Sequence, residues 1–142
     1  AERFIPVVCD HTVIHRMNTE RASLIAVEAA EQCERQTIMK INNLEKLKDV
    51  LKDWPASRTL IICLERSSAA PVAEAVKKLG PDASVAVLIG PEGGFSEGEA
   101  AFLQAQPFVL PVSLGPRILK AETALCAALA CVQAHCGDWL QQ

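Results

Sequence analysis

VAVLI (Val85–Ile89), GPEGGFS (Gly90–Ser96), FVLPV (Phe108–Val112) and SLGPRILKAET (Ser113–Thr123) succeed one another within the stretch Val85–Cys136, which the alanine-rich run ALCAALACVQAHC closes. Two apolar strands each feed a loop that carries glycine, the arrangement a chain needs to bring bare backbone against a ligand. In the first loop Gly90, Gly93 and Gly94 reach backbone angles closed to other residues, and Pro91 freezes one φ among them. Ser96 followed by Glu99 reads as a capping box, so a helix starts directly after the glycines. In the second loop Gly115-Pro116 makes a turn, Arg117 and Lys120 follow, and Glu122-Thr123 lead into a helix ending at Cys136. Small residues at Ala121, Ala124, Ala127, Ala128 and Ala130 suit that helix to close approach by another backbone.

Working outward, the remaining chain repeats the alternation of strand and helix. Phe4–Val8 is nearly all apolar and fits a strand buried on both faces of a parallel sheet. Asn18 or Thr19 caps a helix running to about Cys33, with Ala22, Ile25, Ala26, Ala29, Ala30 and Cys33 on a core-facing side. Glu28, Glu31, Gln32 and Arg35 fall on the other side, where spacing alone suggests a solvated face with an ion pair from Glu31 to Arg35. Thr37–Ile41 reads as a short strand, Asn43 as the cap of a helix Leu44–Trp54, and Pro55 as its stop. TLIICLE (Thr59–Glu65) reads as a buried strand, and Ser67 or Ser68 with Pro71 opens a helix that Gly80 ends. The pattern is an α/β domain with a mainly parallel sheet and helices on both faces. Ligands in such sheets bind at the carboxyl ends of strands, where Leu64-Glu65, GPEGG and SLGPR would converge.

Composition narrows the functional classes. The 142 residues are one domain's worth, and half of them are apolar, enough for one core. No apolar run is long enough to cross a membrane and no signal peptide opens the chain, so the reading is a cytoplasmic protein without a membrane partner. Cys9, Cys33, Cys63, Cys126, Cys131 and Cys136 are scattered without a CxxC pair and read as reduced, mostly buried thiols. His11 with His15, and Cys131 with His135, each supply two ligands where a zinc site wants three or four, so no metal is expected. A net charge of −3 does not advertise nucleic-acid binding, because phosphate neutralisation normally needs a basic surface. GPEGGFS before a helix also suits a phosphate nest, but no GKS or GKT follows.

Taken together, LIGPEGGFSEGE (Leu88–Glu99) and LGPRILKAETA (Leu114–Ala124) resemble the two signature segments of the RsmE-type rRNA methyltransferases of the knotted SPOUT superfamily. EAAEQCERQ (Glu28–Gln36) is similar to that family's EAAEQSGR element and stands in the same order. Glu34 stands where the family element has glycine, and Lys120-Ala121 where the family commonly reads Arg-Thr.

The resemblance implies a C-terminal trefoil knot, a homodimer and S-adenosylmethionine as cofactor. It further implies methylation of N3 of a uridine, uridine 1498 of 16S rRNA, with the rRNA or the small ribosomal subunit as partner. Residues 1–142 then form a SPOUT methyltransferase domain, expected to lack its N-terminal start and the family's β-barrel RNA-binding domain. Cofactor contacts implied are Leu64, Ile89, Gly90, Glu92, Gly94, Leu114, Gly115, Ile118, Leu119 and Thr123, the apolar ones open to a plain packing role. RNA contacts implied are Glu31, Gln32 and Arg35. Arg117 is the catalytic candidate, because a guanidinium stabilises a developing uracil oxyanion without changing its own protonation; a salt bridge to Glu122 is the alternative. Glu92 is a second catalytic candidate, to position the base or face the sulfonium, or else to bond within its own loop. A non-enzymatic alternative stays open as well, a cofactor-binding and dimerisation fragment that cannot methylate by itself.

Overall fold

The computed structural model describes residues 1–13, 15–65 and 68–140. Ser67, one of the two expected helix openers, and Ile14 of HTVIH lie outside them. The chain forms two compact units, Ala1–Asp53 and Trp54–Gln142.

In the first unit the chain starts as two short strands, β1 (Arg3–Phe4) and β2 (Val7–Val8), rather than the continuous strand Phe4–Val8. Their partners are β3 (Lys40–Ile41) and β4 (Glu45–Lys46), both parallel, with Phe4 opposite Ile41 and Val8 opposite Lys46. Pro6 brings no amide to the ladder, and the register resumes where the amide of Glu45 reaches the Pro6 carbonyl. Phe4 is 40 % exposed, so this strand is not buried on both faces as expected, and the strand expected over Thr37–Ile41 contracts to β3.

Helix α1 spans Thr19–Gln32, and the Asn18 side chain accepts from the amide of Arg21, as a cap should. Only Ala26 and Ala30 of its expected core face are buried, while Ile25 is 54 % exposed and Ala29 and Cys33 are exposed too. Helix α2 spans Leu47–Lys52 and is preceded by Lys46 without a side-chain cap, not by Asn43. The physical reason is tertiary: Glu45 and Lys46 are held extended by pairing with Val7 and Val8, so the helix cannot begin before Leu47. Trp54 is not a helix residue; its indole N–H donates to the Arg58 carbonyl at 2.8 Å and its ring stacks on Phe108 at 6.0 Å in the second unit.

The second unit is built on a three-stranded parallel sheet in the order β6 (Val85–Leu88), β5 (Thr59–Cys63), β7 (Val109–Val112). Ile61 lies opposite Val87 on one side and Leu110 on the other. Pro111 is tolerated because β7 is an edge strand of this sheet. Helices α3 (Val72–Val76), α4 (Glu97–Gln104) and α5 (Ala121–Cys136) follow β5, β6 and β7 in turn. The expected helix from Pro71 to Gly80 is thus shorter, continued by a turn in which Leu79 donates to the Val76 carbonyl. Ile61, Val72, Ala75, Val76, Val112, Val132 and Cys136 form one buried cluster in which α3 and α5 meet the sheet. Leu60 and Ile62 alternate to the opposite face and are also buried, so the central strand is covered on both sides. The mainly parallel α/β architecture expected from the sequence is what the chain adopts. Burying Ile61, Ile62, Leu103, Val76 and Val112 completely contributes about 1.5–3 kcal/mol for each side chain.

Among the described residues no helix is long and apolar enough to cross a membrane. All six cysteines are free; Cys9 and Cys136 are buried, Cys63 and Cys131 half-buried, and Cys33 and Cys126 exposed, so fewer thiols are sequestered than expected.

Candidate active site

Because β5, β6 and β7 are parallel, their carboxyl ends lie along one edge of the sheet, and the segments that leave them are neighbours. Leu64-Glu65 leaves β5, Ile89–Phe95 leaves β6 and Leu114–Lys120 continues from β7, and together with the first turn of α5 they wall a cavity of about 650 Å³. That volume lies in the range of small-molecule and cofactor sites, roughly 300–1,000 Å³.

The first loop is held at both ends. Gly94 donates its amide to the Pro91 carbonyl at 2.8 Å, closing a turn, and its φ of +69° is one that a side chain would strain. Directly beyond, the Ser96 hydroxyl accepts from the Glu99 amide at 3.1 Å, and the Glu99 carboxylate accepts from the Ser96 amide at 3.2 Å. The capping box read from the sequence is therefore formed, and Glu99, only 3 % exposed, has its carboxylate committed to it. Glu92 sits exposed on the turn.

Gly90 is a different case. Its φ is ordinary for an L-residue, but a Cβ added there would stand 3.2–3.4 Å from the ring of Phe95. At Gly90 a side chain would be crowded by a neighbour, whereas at Gly94 it would be strained by the backbone conformation.

In the second loop Gly115 adopts φ +101° and donates its amide to the Ser113 hydroxyl at 3.2 Å. Farther back, Ser113 bridges to Pro71: its amide donates to the Ala70 carbonyl and its carbonyl accepts from Val72, each at 2.9 Å. Strand β7 is thus carried past the point where Leu64 donates to the Val112 carbonyl, which fixes where the second loop begins.

Of the residues singled out in the sequence, Leu64, Ile89, Gly90, Glu92, Gly94, Leu114, Gly115, Arg117, Ile118 and Leu119 line this one cavity. Thr123 does not; it is exposed on α5. Glu31, Gln32 and Arg35 belong to the first unit and are exposed at the end of α1. The Arg35 guanidinium donates to the Ala1 carbonyl at 2.8 Å and to the Thr37 hydroxyl at 3.0 Å, in place of the ion pair with Glu31 that spacing suggested. Among the described residues Arg117 forms no ion pair with Glu122, and it is exposed at the cavity.

Lining residues that the sequence reading passed over are of two kinds. Ala100 and Gln104 follow Ser96 at helical spacing of four, so extending the capping-box helix along its own face would have found them. Cys63 and Phe95 carried no such pattern. Burial pushes the Cys63 thiol up to about 11, with a further contribution from Cys131, so at neutral pH this wall presents a thiol and not a thiolate. Acidic Glu65 and Glu92 and basic Arg117 and Lys120 complete the rim. The arrangement can hold a small, partly charged molecule against backbone groups, with a guanidinium free to reach a second reactant.

The sequence profile of a family described as an RNA methyltransferase domain matches residues 1–133. The chain is 31% identical over 142 residues to the ribosomal RNA small subunit methyltransferase E of Bacillus subtilis, and 32% identical over 137 residues to that of Synechocystis. It covers 55% and 45% of those proteins, and 93% and 94% of itself is matched. The chain thus spans about half the length of these curated relatives. Among solved structures, the ribosomal RNA small subunit methyltransferase E of Neisseria gonorrhoeae, bound to S-adenosyl methionine, superposes with a TM-score of 0.77 at 26% identity. That match covers 94% of this chain and 55% of the other. With the family profile running through nearly all of its length, this chain belongs to the RNA methyltransferase domain family.

Proposed function

We propose that the cavity holds S-adenosylmethionine and that the chain is the methyltransferase domain of an enzyme that methylates N3 of a uridine in 16S rRNA, with uridine 1498 the nucleotide its resemblance implies. The observation that carries this reading is the convergence of both glycine loops and Arg117 on one cavity of about 650 Å³. The cavity fits the cofactor in size, and its loops offer backbone donors and acceptors beside apolar Leu64, Ile89, Leu114 and Leu119 for a flat heterocycle. When bound, the cofactor supplies a methyl group on a positively charged sulfur.

Transfer to N3 would be an in-line displacement: the N3 proton passes to water, the nitrogen bonds the methyl carbon as the carbon–sulfur bond breaks, and a neutral thioether leaves, so no covalent nucleophile is needed. The loops would hold the donor in place for the second reactant. Arg117 steadies the negative charge that spreads onto the uracil oxygens as the proton leaves. Glu92, on the tip of its turn, positions the base or faces the sulfonium charge. Keeping Cys63 as a thiol prevents a thiolate from competing for the methyl group.

In this reading the C-terminal part of the chain forms the trefoil knot that the resemblance implies. Two chains associate through the part of α5 that its own core leaves uncovered, where Ala130 is exposed while Ala124 and Ala128, expected on the same small-residue face, are buried within the chain; Glu31, Gln32 and Arg35 contact RNA. With a net charge of −3, the grip on RNA comes largely from protein beyond these residues, and the enzyme works in the cytoplasm. Titration calorimetry with S-adenosylmethionine, followed by methyl transfer to small ribosomal subunits, tests the proposal. No binding removes the cofactor site. Binding without transfer by a protein extended to the length of its relatives leaves only a cofactor-binding dimerisation core.

A further inference from the structure

The structure assigns to Phe95 a positioning role: its ring is the wedge that sets the backbone of Gly90, and with it the first wall of the cofactor cavity. This inference rests on the proposed use of that cavity. All three heavy atoms nearest to a Cβ at Gly90 belong to the Phe95 ring, at 3.2, 3.3 and 3.4 Å. A Cβ contact that short is tighter than ordinary van der Waals packing, so a methyl group at Gly90 would require the Phe95 ring to give by a few tenths of an ångström. Gly90 is not at positive φ, so nothing in its own conformation calls for glycine.

Phe95 is half-buried and anchored by its neighbours in the chain. Gly94 on one side is tied to Pro91, and Ser96 on the other is locked into the capping box with buried Glu99. This anchored base carries a ring that lies beside the residue that opens the loop, in the space a side chain at Gly90 would approach. The amides and carbonyls from Ile89 to Gly94 are consequently held in one arrangement before any ligand arrives, which reduces the ordering cost of binding. Phe95 also lines the cavity itself, so a smaller side chain both loosens Gly90 and enlarges the space.

A double-mutant cycle on the full chain tests the contact, with S-adenosylmethionine as the titrant in calorimetry and thermal melting followed by circular dichroism. Gly90→Ala alone is expected to weaken binding ~10-fold and Phe95→Leu alone ~3-fold, while the double variant stays within ~3-fold of Phe95→Leu because the methyl then has room. Phe95→Tyr, which keeps the ring, is expected to bind as wild type. If Gly90→Ala unfolds and Phe95→Leu restores its melting transition, the same contact is established through stability. Losses that multiply to ~30-fold in the double variant, or Gly90→Ala binding as wild type, overturn the inference while leaving the cofactor site in place. Failure of the wild-type protein to bind overturns both.

Discussion

The amide of Glu34 donates to the Glu31 carbonyl at 3.1 Å, while the next amide, that of Arg35, reaches back to Ala30 at 2.8 Å. This pair of bonds is the Schellman closure of a helix, and it places Glu34 at φ +55°. Glycine is the residue such a position favours, and the element that this stretch resembles has glycine there. Left-handed geometry costs an L-residue ~1–2 kcal/mol, part of which the greater freedom of glycine in the unfolded chain offsets. Glu34→Gly is therefore expected to raise stability by ~0.5–1 kcal/mol, read as a higher urea midpoint at unchanged slope. A lower midpoint would show that the glutamate side chain supplies a contact outweighing the strain.

Gly94 tests the first loop from the conformational side. At φ +69° a β-branched residue is strained and the turn onto Pro91 opens. Gly94→Val is expected to abolish calorimetric binding of S-adenosylmethionine while the melting transition of the sheet and helices remains. Unchanged affinity would take the loop out of the binding site.

For Arg117 the discriminating quantity is rate against affinity. Arg117→Ala, in a protein carrying the full length of its relatives, should lower single-turnover methylation ~10²–10³-fold, the usual loss for one electrostatic donor. Cofactor affinity should change little if, as proposed, backbone groups of the loops make that contact. Equal losses in both would make Arg117 a strut of its loop, and a rate near wild type would remove it from the mechanism.

Cys63 gives a pH signature. Its folded-state pKa is raised above its ordinary value of 9.0, to about 11, first by burial and then by Cys131. The unfolded chain therefore releases this proton earlier as pH rises. The stability tied to the buried thiol is complete below pH 9 and is lost on going toward pH 11. Cys63→Ala should flatten that part of the stability curve and no other. At pH 8 a thiol reagent should label exposed Cys33 and Cys126 well before Cys63. Rapid labelling of Cys63 would mean that its wall of the cavity is open.

How legible the molecule was in its sequence depended on whether the deciding interaction was local. Asn18 and Ser96 cap their helices through bonds to residues three positions away, and both starts could be read directly. The start of α2 could not, because Val7 and Val8, far away in the chain, hold Glu45 and Lys46 extended. The exposure of Ile25 is equally silent, since periodicity gives a face and not the partner that covers it. Of the cavity, the two loops were legible from glycine content and strand ends, and Arg117 from the resemblance and the chemistry of its guanidinium. The reason for glycine at position 90 was not, because it lies in the packing of an aromatic ring.

The order of the sheet also bears on how this protein comes into being. Leu60 must find Ala86 for the first loop to be positioned, and then Val109, much farther along the chain, for the second. Pairings between such distant residues form late and slowly. Until β7 docks, Ser113 cannot latch onto Ala70 and Val72, and half of the cavity wall does not exist. A ligand of this cavity therefore has no purchase on the early folding chain. It should leave the folding rate unchanged and act almost wholly by slowing unfolding, making the bound protein long-lived rather than quick to form.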